Sequence, residues 1–111
     1  MISVTILKNG EEYRGFISEG HAGYAEEGYD IICAAVSVLT INAVNSLEEL
    51  TEDEFQAEQS PDGGYLKLTF TGSVSKEAEL LMKSLELGLR SMEESYGNEF
   101  LSVKIRDHED N

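Results

Sequence analysis

The chain has 111 residues, which is enough for one domain with a modest core, and we predict a single domain over residues 1–111. Acidic residues outnumber basic ones 22 to 8, and the formal charge of −14 argues against direct nucleic-acid binding. The single cysteine excludes an internal disulfide and every paired-cysteine metal or redox motif. We recognise neither a signal-type N-terminus nor an apolar run of about 20 residues, and therefore expect a soluble, cytoplasmic protein without membrane contact.

The first third of the chain predicts a β-hairpin followed by a loop. Apolar and polar residues alternate over residues 2–6, which is the period of a half-buried strand. Asn9 and Gly10 form a turn signal because both tolerate positive φ, and a second strand is predicted from about residue 13 to 18. The glycine-rich segment 19–29 then indicates a loop.

Two helices are predicted from apolar residues that recur three or four positions apart. The first begins with Asp30 as its N-cap and ends near Thr51. The second starts at Ser73 or Ser75 and ends at Gly97. Their apolar stripes are Ile32, Val36, Leu39, Ala43, Leu47 and Leu50 in the first helix, and Ala78, Leu81, Leu85, Leu89, Met92 and Tyr96 in the second.

Three further strands complete the order ββαββαβ. Residues 54–59 and 65–71 flank a turn at residues 60–64, and residues 101–105 form the last strand. The polar tail 106–111 is expected to fray. Helices and strands with one apolar face each predict an α+β two-layer sandwich, in which two helices pack on one mostly antiparallel sheet. The strand order does not follow from the pattern.

Cys33 is the residue on which a chemical interpretation depends. As the third residue of a helix capped by Asp30, it would lie where free N–H groups and the helix dipole stabilise a thiolate, the nucleophilic form of cysteine. His21, at the start of the loop, is its one plausible acid/base partner, since it could take the thiol proton and return it to a leaving amine. The loop would be mobile and close over a substrate. Its glycines are Gly20, Gly23 and Gly28.

The same residues have plainer interpretations, and residue types and spacing leave these open. A single cysteine beside apolar helical residues is most often a small core residue. Asp30 is more often a cap than a catalytic group, and His108 lies in a charged tail where we expect it to be solvated. A metal site built from His21, Asp30 and Cys33 would have few and mixed ligands, so we expect neither metal nor cofactor.

Residues 20–22 (GHA) and 30–37 (DIICAAVS) resemble the signature of the bacterial ribosomal-processing cysteine protease (Prp) family. Length, element order and acidic character extend the resemblance over nearly the whole chain. It implies a cytoplasmic cysteine endopeptidase in which His21 and Cys33 are catalytic and Asp30 supports the structure of the site. It also implies a homodimer. The implied substrate is a basic large-subunit ribosomal protein, from which a short hydrophobic N-terminal extension is removed.

Three hypotheses about function remain at this point. The first is the endopeptidase, and the second is a non-enzymatic, acidic ribosome-associated module that binds a basic protein. The third is a single-cysteine redox enzyme, which the lack of a resolving cysteine weakens. The charge of −14 would attract a basic ribosomal protein, although it could also serve solubility alone. If the chain is a protease, we expect His21 and Cys33 to be incompletely aligned without substrate.

Overall fold

A computed structural model describes residues 1–20, 29–97 and 99–108, and for Tyr29 and Asp30 it describes the backbone only. The described elements follow the predicted order ββαββαβ. They are β1 (Ile2–Asn9), β2 (Glu12–Glu19), α1 (Tyr29–Leu50), β3 (Phe55–Gln59), β4 (Tyr65–Phe70), α2 (Lys76–Tyr96) and β5 (Leu101–Asp107).

The strands form one five-stranded sheet with the order β3-β4-β2-β1-β5. Three neighbouring pairs are antiparallel, namely β1 with β2, β2 with β4, and β3 with β4. β5 lies parallel to β1, because α2 carries the chain back across the sheet before the last strand begins. The predicted α+β sandwich with a mostly antiparallel sheet is therefore confirmed.

The hydrophobic core lies between the helices and one face of the sheet. Alternate strand residues such as Val4, Phe16 and Leu68 are fully buried against Leu47 of α1 and Leu89 of α2. The helical stripes are shorter than predicted. The last residue of each helix, Leu50 in α1 and Tyr96 in α2, is 69% and 54% exposed.

The start of α1 differs from the prediction. The helix begins at Tyr29, so the prediction that Asp30 precedes it as the N-cap is wrong. The Asp30 backbone lies in the first turn of the helix. Cys33 is consequently the fifth helical residue and not the third.

The C-terminal residues that we expected to form a frayed tail are in part a continuation of the sheet. β5 continues to Asp107 because it pairs along the whole of β1, where Leu7 lies opposite Arg106 and Lys8 opposite Asp107. The backbone N–H of His108 donates to the carbonyl oxygen of Lys8 at 2.8 Å. The prediction of a frayed tail is therefore wrong for residues 106–108, and its remainder, residues 109–111, lies outside the described residues. His108, which we expected to be solvated, is half-buried.

The middle of the chain is more apolar than expected. Ile31–Leu50, 20 residues of α1, is by length and composition apolar enough to cross a membrane, so the expectation that no such segment exists is wrong. One such helix is a weak sign of a membrane span, because the core helix of a soluble protein passes the same test. Ile32, Val36 and Leu47 of this helix are buried against the sheet and α2.

A polar cluster connects β2 with α2. The Tyr13 hydroxyl donates to Glu86 Oε1 at 2.6 Å, and Arg90 Nε donates to Glu86 Oε2 at 2.9 Å. The Lys8 ammonium lies 4.5 Å from the centre of the Tyr13 ring. Burial raises the pKa of Glu86, but the two hydrogen bonds and the charges of Arg90 and Lys8 together outweigh burial, so the net pKa lies below its usual value. Burial and the neighbouring carboxylate raise the pKa of Tyr13.

Glu86→Gln is expected to lower the free energy of unfolding by about 1–2 kcal/mol at neutral pH, because it weakens two hydrogen bonds to a carboxylate. Because the pKa of Glu86 is lower in the folded state, its ionised carboxylate stabilises the fold fully at pH values above the unfolded-state pKa of about 4.3. This stabilisation is lost as the pH falls through the folded-state pKa. The difference between wild type and variant should therefore shrink below pH ~4 in urea unfolding. Glu94→Gln, at an exposed position of α2, is the charge-matched control. If the difference in unfolding free energy between wild type and Glu86→Gln did not change with pH, the stabilising role of the Glu86 carboxylate would be contradicted.

Candidate active site

Cys33 lies at the edge of the buried face of α1. Its neighbours on the helix, Ile32 and Val36, are buried in the core, and Cys33 itself is half-buried and packs against that core. This position follows from the helical period, which turns the residue next to Ile32 partly away from the sheet. The thiol is thus held in place by packing while part of it faces a cavity.

A cavity of about 250 Å³ opens beside Cys33. We call it the groove. One wall is α1, which contributes Cys33, Ser37, Thr40 and Ile41. The floor and the opposite wall come from the sheet and the β3–β4 turn and include Ile2, Gln59, Asp62 and Leu66. The lining mixes apolar and polar side chains, which suits a site that holds an apolar side chain together with its peptide backbone.

The β3–β4 turn fixes the shape of the opposite wall. Asp62 Oδ1 accepts hydrogen bonds from the Ser60 hydroxyl at 2.7 Å and from the Gly64 N–H at 2.9 Å. The Gly63 N–H donates to the Ser60 carbonyl oxygen at 3.1 Å. These local bonds replace regular strand pairing and hold the turn against the groove.

Gly20 closes one end of the groove, directly after β2. Its N–H donates to the Gly64 carbonyl oxygen at 2.9 Å and its φ is +100°. A Cβ at this position would overlap the carbonyl oxygen of Met1. Only glycine fits this close approach of two backbones, and it fixes the direction in which the chain leaves β2 towards residue 21.

The other predicted site residues lie in or beside a part of the chain that the structure does not describe. His21, Gly23 and Gly28 fall in the segment 21–28, outside the described residues. The Asp30 backbone is in the first turn of α1. The roles of these residues, the mobile loop that includes Gly20, and the alignment of His21 with Cys33 therefore stay predictions. Within the described ranges, no three His, Cys, Asp or Glu side chains come together as a metal site.

Sequence reasoning missed the walls of the groove. Ser37 and Thr40 follow Cys33 by four and seven residues, the spacing of one helix face, and this signal could have found them. Thr40 is buried, and its hydroxyl donates to the Val36 carbonyl oxygen at 2.9 Å. Leu66 could not have been found from local sequence, because it reaches the groove through the pairing of β4 with β2.

Comparisons with known proteins agree along nearly the whole chain. The family model for the cysteine protease Prp matches residues 1–101. The ribosomal processing cysteine protease Prp of Bacillus subtilis is 33% identical over 101 residues, covering 86% of this chain and 90% of the relative. The protein of the same name from Staphylococcus aureus is 31% identical over 97 residues, covering 86% of this chain and 92% of the relative.

Solved structures share the fold. The essential ribosomal processing protease Prp of S. aureus, in complex with a covalently linked product peptide, has a TM-score of 0.85 at 30% identity, covering 96% of this chain and 100% of that one. A Streptococcus mutans protein has a TM-score of 0.85 at 33% identity, covering 97% and 99%. A half-buried cysteine beside a groove, a shared fold and this identity lead to one conclusion: the chain belongs to the cysteine protease Prp family and is a cysteine protease.

Proposed function

We propose that this protease acts in the cytoplasm and removes the short hydrophobic N-terminal extension of a bacterial large-subunit ribosomal protein. The observation that carries the proposal is the groove of about 250 Å³ beside Cys33, whose mixed lining includes the apolar side chains of Ile2, Ile41 and Leu66. Its support comes from relatives named as ribosomal processing proteases and from the S. aureus protein, which has been solved with a substrate peptide.

In the proposed mechanism, His21 accepts the thiol proton of Cys33, and the thiolate attacks the carbonyl carbon of the scissile peptide bond. The oxyanion that forms is stabilised by free backbone N–H groups in the first turn of α1, which precedes Cys33. His21 then protonates the leaving amine, and water hydrolyses the thioester to release the second product. Asp30 supports the structure of the site.

Substrate binding completes the site in this proposal. The loop that carries the predicted glycines closes over the peptide, and His21 and Cys33 become fully aligned only then. The glycines of this loop are Gly20, Gly23 and Gly28. The charge of −14 attracts the basic body of the ribosomal protein to the enzyme. We also propose that the protease is a homodimer.

The proposal is tested by digesting the ribosomal protein with its extension and reading the products by mass. We expect one cut that releases the extension, and Gln59→Trp, which fills the groove from β3, should lower kcat/KM at least about tenfold. Gln56→Trp is the matched control, because this exposed residue of the same strand points to the opposite face of the sheet. Binding without any change of mass would favour the non-enzymatic module. Equal kcat/KM values for the two variants would contradict the role of the groove.

A further inference from the structure

β3 is an edge strand, and its outer side is unpaired in the described part of the chain. Its other side pairs with β4. Just before β3, the Thr71 N–H donates to the Glu54 carbonyl oxygen at 3.0 Å, and just after it, the Ser60 N–H donates to the Tyr65 carbonyl oxygen at 3.0 Å. In an antiparallel ladder, bonded residues alternate with residues whose N–H and C=O groups point away from the partner strand. The residues of β3 whose backbone groups point outward are therefore Phe55, Ala57 and Gln59.

The two edges of the sheet differ in how well they are protected against pairing. Exposed edge strands usually carry lysine, proline or a bulge, which prevent another chain from pairing with them. β5, at the opposite edge, has the exposed residues Lys104, Arg106 and Asp107. β3 has the sequence FQAEQ, without lysine, arginine or proline, and its one charged residue, Glu58, lies opposite Lys67 of β4. The edge of β3 is therefore open to an extended peptide.

The helical layer stops short of β3. Leu68 of β4 is fully buried, whereas Ala57, directly opposite it on β3, is exposed. Residues directly opposite each other in a sheet point to the same face, so a further strand would place alternate side chains beside Ala57 on the helical side. The small side chain of Ala57 leaves room for a larger one from that strand.

The C-terminal end of β3 leads to the groove. Gln59, the last residue of the strand, lines the groove together with Cys33 of α1. A chain that passes Cys33 can continue along β3 from Gln59 to Phe55, a stretch of five residues or about 17 Å. The groove and the open edge of β3 thus form one continuous path for an extended polypeptide.

The N-terminal end of β3 is acidic. A depression beside Phe55 is lined by three exposed acidic residues, Glu48, Glu52 and Glu54. Carboxylates in this number attract a cationic segment and repel an anionic one. In the proposed substrate, the chain that follows the scissile bond belongs to a basic ribosomal protein. The charge therefore favours a direction in which this part of the substrate runs towards Phe55.

We propose that the substrate residues that follow the scissile bond pair with the open edge of β3 as a sixth, antiparallel strand. This inference rests on the proposed function and adds to it the surface that holds the substrate beyond the cut. The direction follows from the two ends of β3, because Cys33 lies near Gln59 and the acidic residues lie near Phe55. The backbone groups of every second substrate residue bond to Phe55, Ala57 and Gln59, while the residues before the cut occupy the groove. Pairing of this kind supplies affinity through the main chain and depends little on side chains.

N-methylated peptides test the pairing on the unaltered enzyme. Each synthetic peptide spans the cleavage site of the ribosomal protein and carries one N-methyl group, at successive positions from the second residue after the cut. We expect kcat/KM to fall at least about fivefold at every second position, where the N–H bonds to β3, and less than about twofold at the positions between. Losses without alternation, or no loss at any position, would overturn the pairing. Alternation found only before the scissile bond, in a second set of peptides, would overturn its direction.

Ala57→Pro tests the same surface from the side of the enzyme. Proline removes the outward N–H of Ala57 but no bond to β4, so β3 can keep its place in the sheet. Two substrates are compared: the full peptide, and its residues before the cut joined to aminomethylcoumarin, which leaves no residue after the cut. Relative to the wild type, kcat/KM of Ala57→Pro should fall at least about tenfold more for the full peptide.

The outcomes separate this inference from the proposed function. Equal losses of Ala57→Pro on the two substrates would overturn the pairing and leave the proposed function intact. No cleavage of the full peptide or of the ribosomal protein by the wild type would overturn both. Because the N-methylated peptides are used with the wild type, they decide the question even where Ala57→Pro does not fold.

The direction of the added strand has a test of its own. The double variant Glu52→Gln, Glu54→Gln should raise KM for the ribosomal protein with its extension at least about fivefold at low salt, because it removes two carboxylates beside Phe55. The charge-matched control is Glu11→Gln, Glu94→Gln, at exposed positions of the β1–β2 turn and of α2. An equal rise in KM for both double variants would reflect net charge alone and would overturn the direction.

Discussion

Cys33→Ala is expected to lower kcat/KM for the ribosomal protein with its extension by at least about 10⁴-fold, because no other group of this site can form the thioester. Cys33→Ser should be almost as inactive, since a serine hydroxyl is a much weaker nucleophile without a base tuned to it. His21→Ala should lose a comparable factor and should also slow alkylation of Cys33 by iodoacetamide. Product masses measured over time give all of these rates.

The fold should survive these substitutions. Cys33 is half-buried at the edge of the core, so loss of its sulfur removes little packing, and thermal unfolding should shift by only a few degrees, which corresponds to about 1 kcal/mol. A folded Cys33→Ala protein that still cleaves the extension at the wild-type rate would exclude Cys33 as the nucleophile. An active Cys33→Ala protein together with an inactive His21→Ala protein would indicate a different mechanism.

Gly20→Ala is expected to cost about 3 kcal/mol of the free energy of unfolding, because the added Cβ meets backbone that cannot swing away. The Met1 carbonyl oxygen lies in its place, and a shift of either strand end would disturb the hydrogen bond from Gly20 to Gly64. Since residue 21 follows directly, kcat/KM should fall as well, by more than the loss of folded protein explains. Urea unfolding and initial rates on the same preparation separate the two effects.

Gly10→Ala is the control for the backbone conformation alone. Gly10 also has positive φ, at +62°, but a Cβ there meets nothing within 4 Å. Its cost should be about 1 kcal/mol, the penalty of an ordinary residue in the left-handed region, with kcat/KM unchanged. If Gly20→Ala and Gly10→Ala had equal stabilities and equal activities, the close approach of Gly20 to the Met1 backbone would have no role in the site.

Local periodicity was enough to find every described helix and strand, because each element buries one face against a single core. Prediction failed where one residue suits two neighbouring positions of a helix start equally well. It also failed where pairing with a strand distant in sequence determines the structure. Asp30 suits a helix N-terminus both as the cap and in the first turn, so local sequence could not choose between them. Arg106 and Asp107 look like a polar tail, and only their pairing with β1 shows that they belong to the sheet.

The candidate site, too, could be predicted only in part. Cys33 could be singled out because it is the single cysteine and lies near a predicted helix start. The groove beside it could not be predicted, because Leu66 and Gln59 reach it only through the strand order, in which β4 neighbours β2 and β3 forms the edge. The exposed apolar residues of α1, such as Ile31 and Val38, were not identified, because the search for an amphipathic stripe assigns only one apolar face to a helix.

The parallel pairing of β1 with β5 has a consequence for biosynthesis. β1 is made first among the described elements, yet β5, its neighbour on one side, is the last of them to emerge from the ribosome. At translation rates of about 5–20 residues per second, the edge of β1 stays open for roughly 5–20 s while the chain is completed. An open edge bordering an apolar face is a place where nascent chains aggregate or engage chaperones. Proteolytic activity in the cell should therefore come only from chains that include β5, and shorter products of premature termination should be inactive.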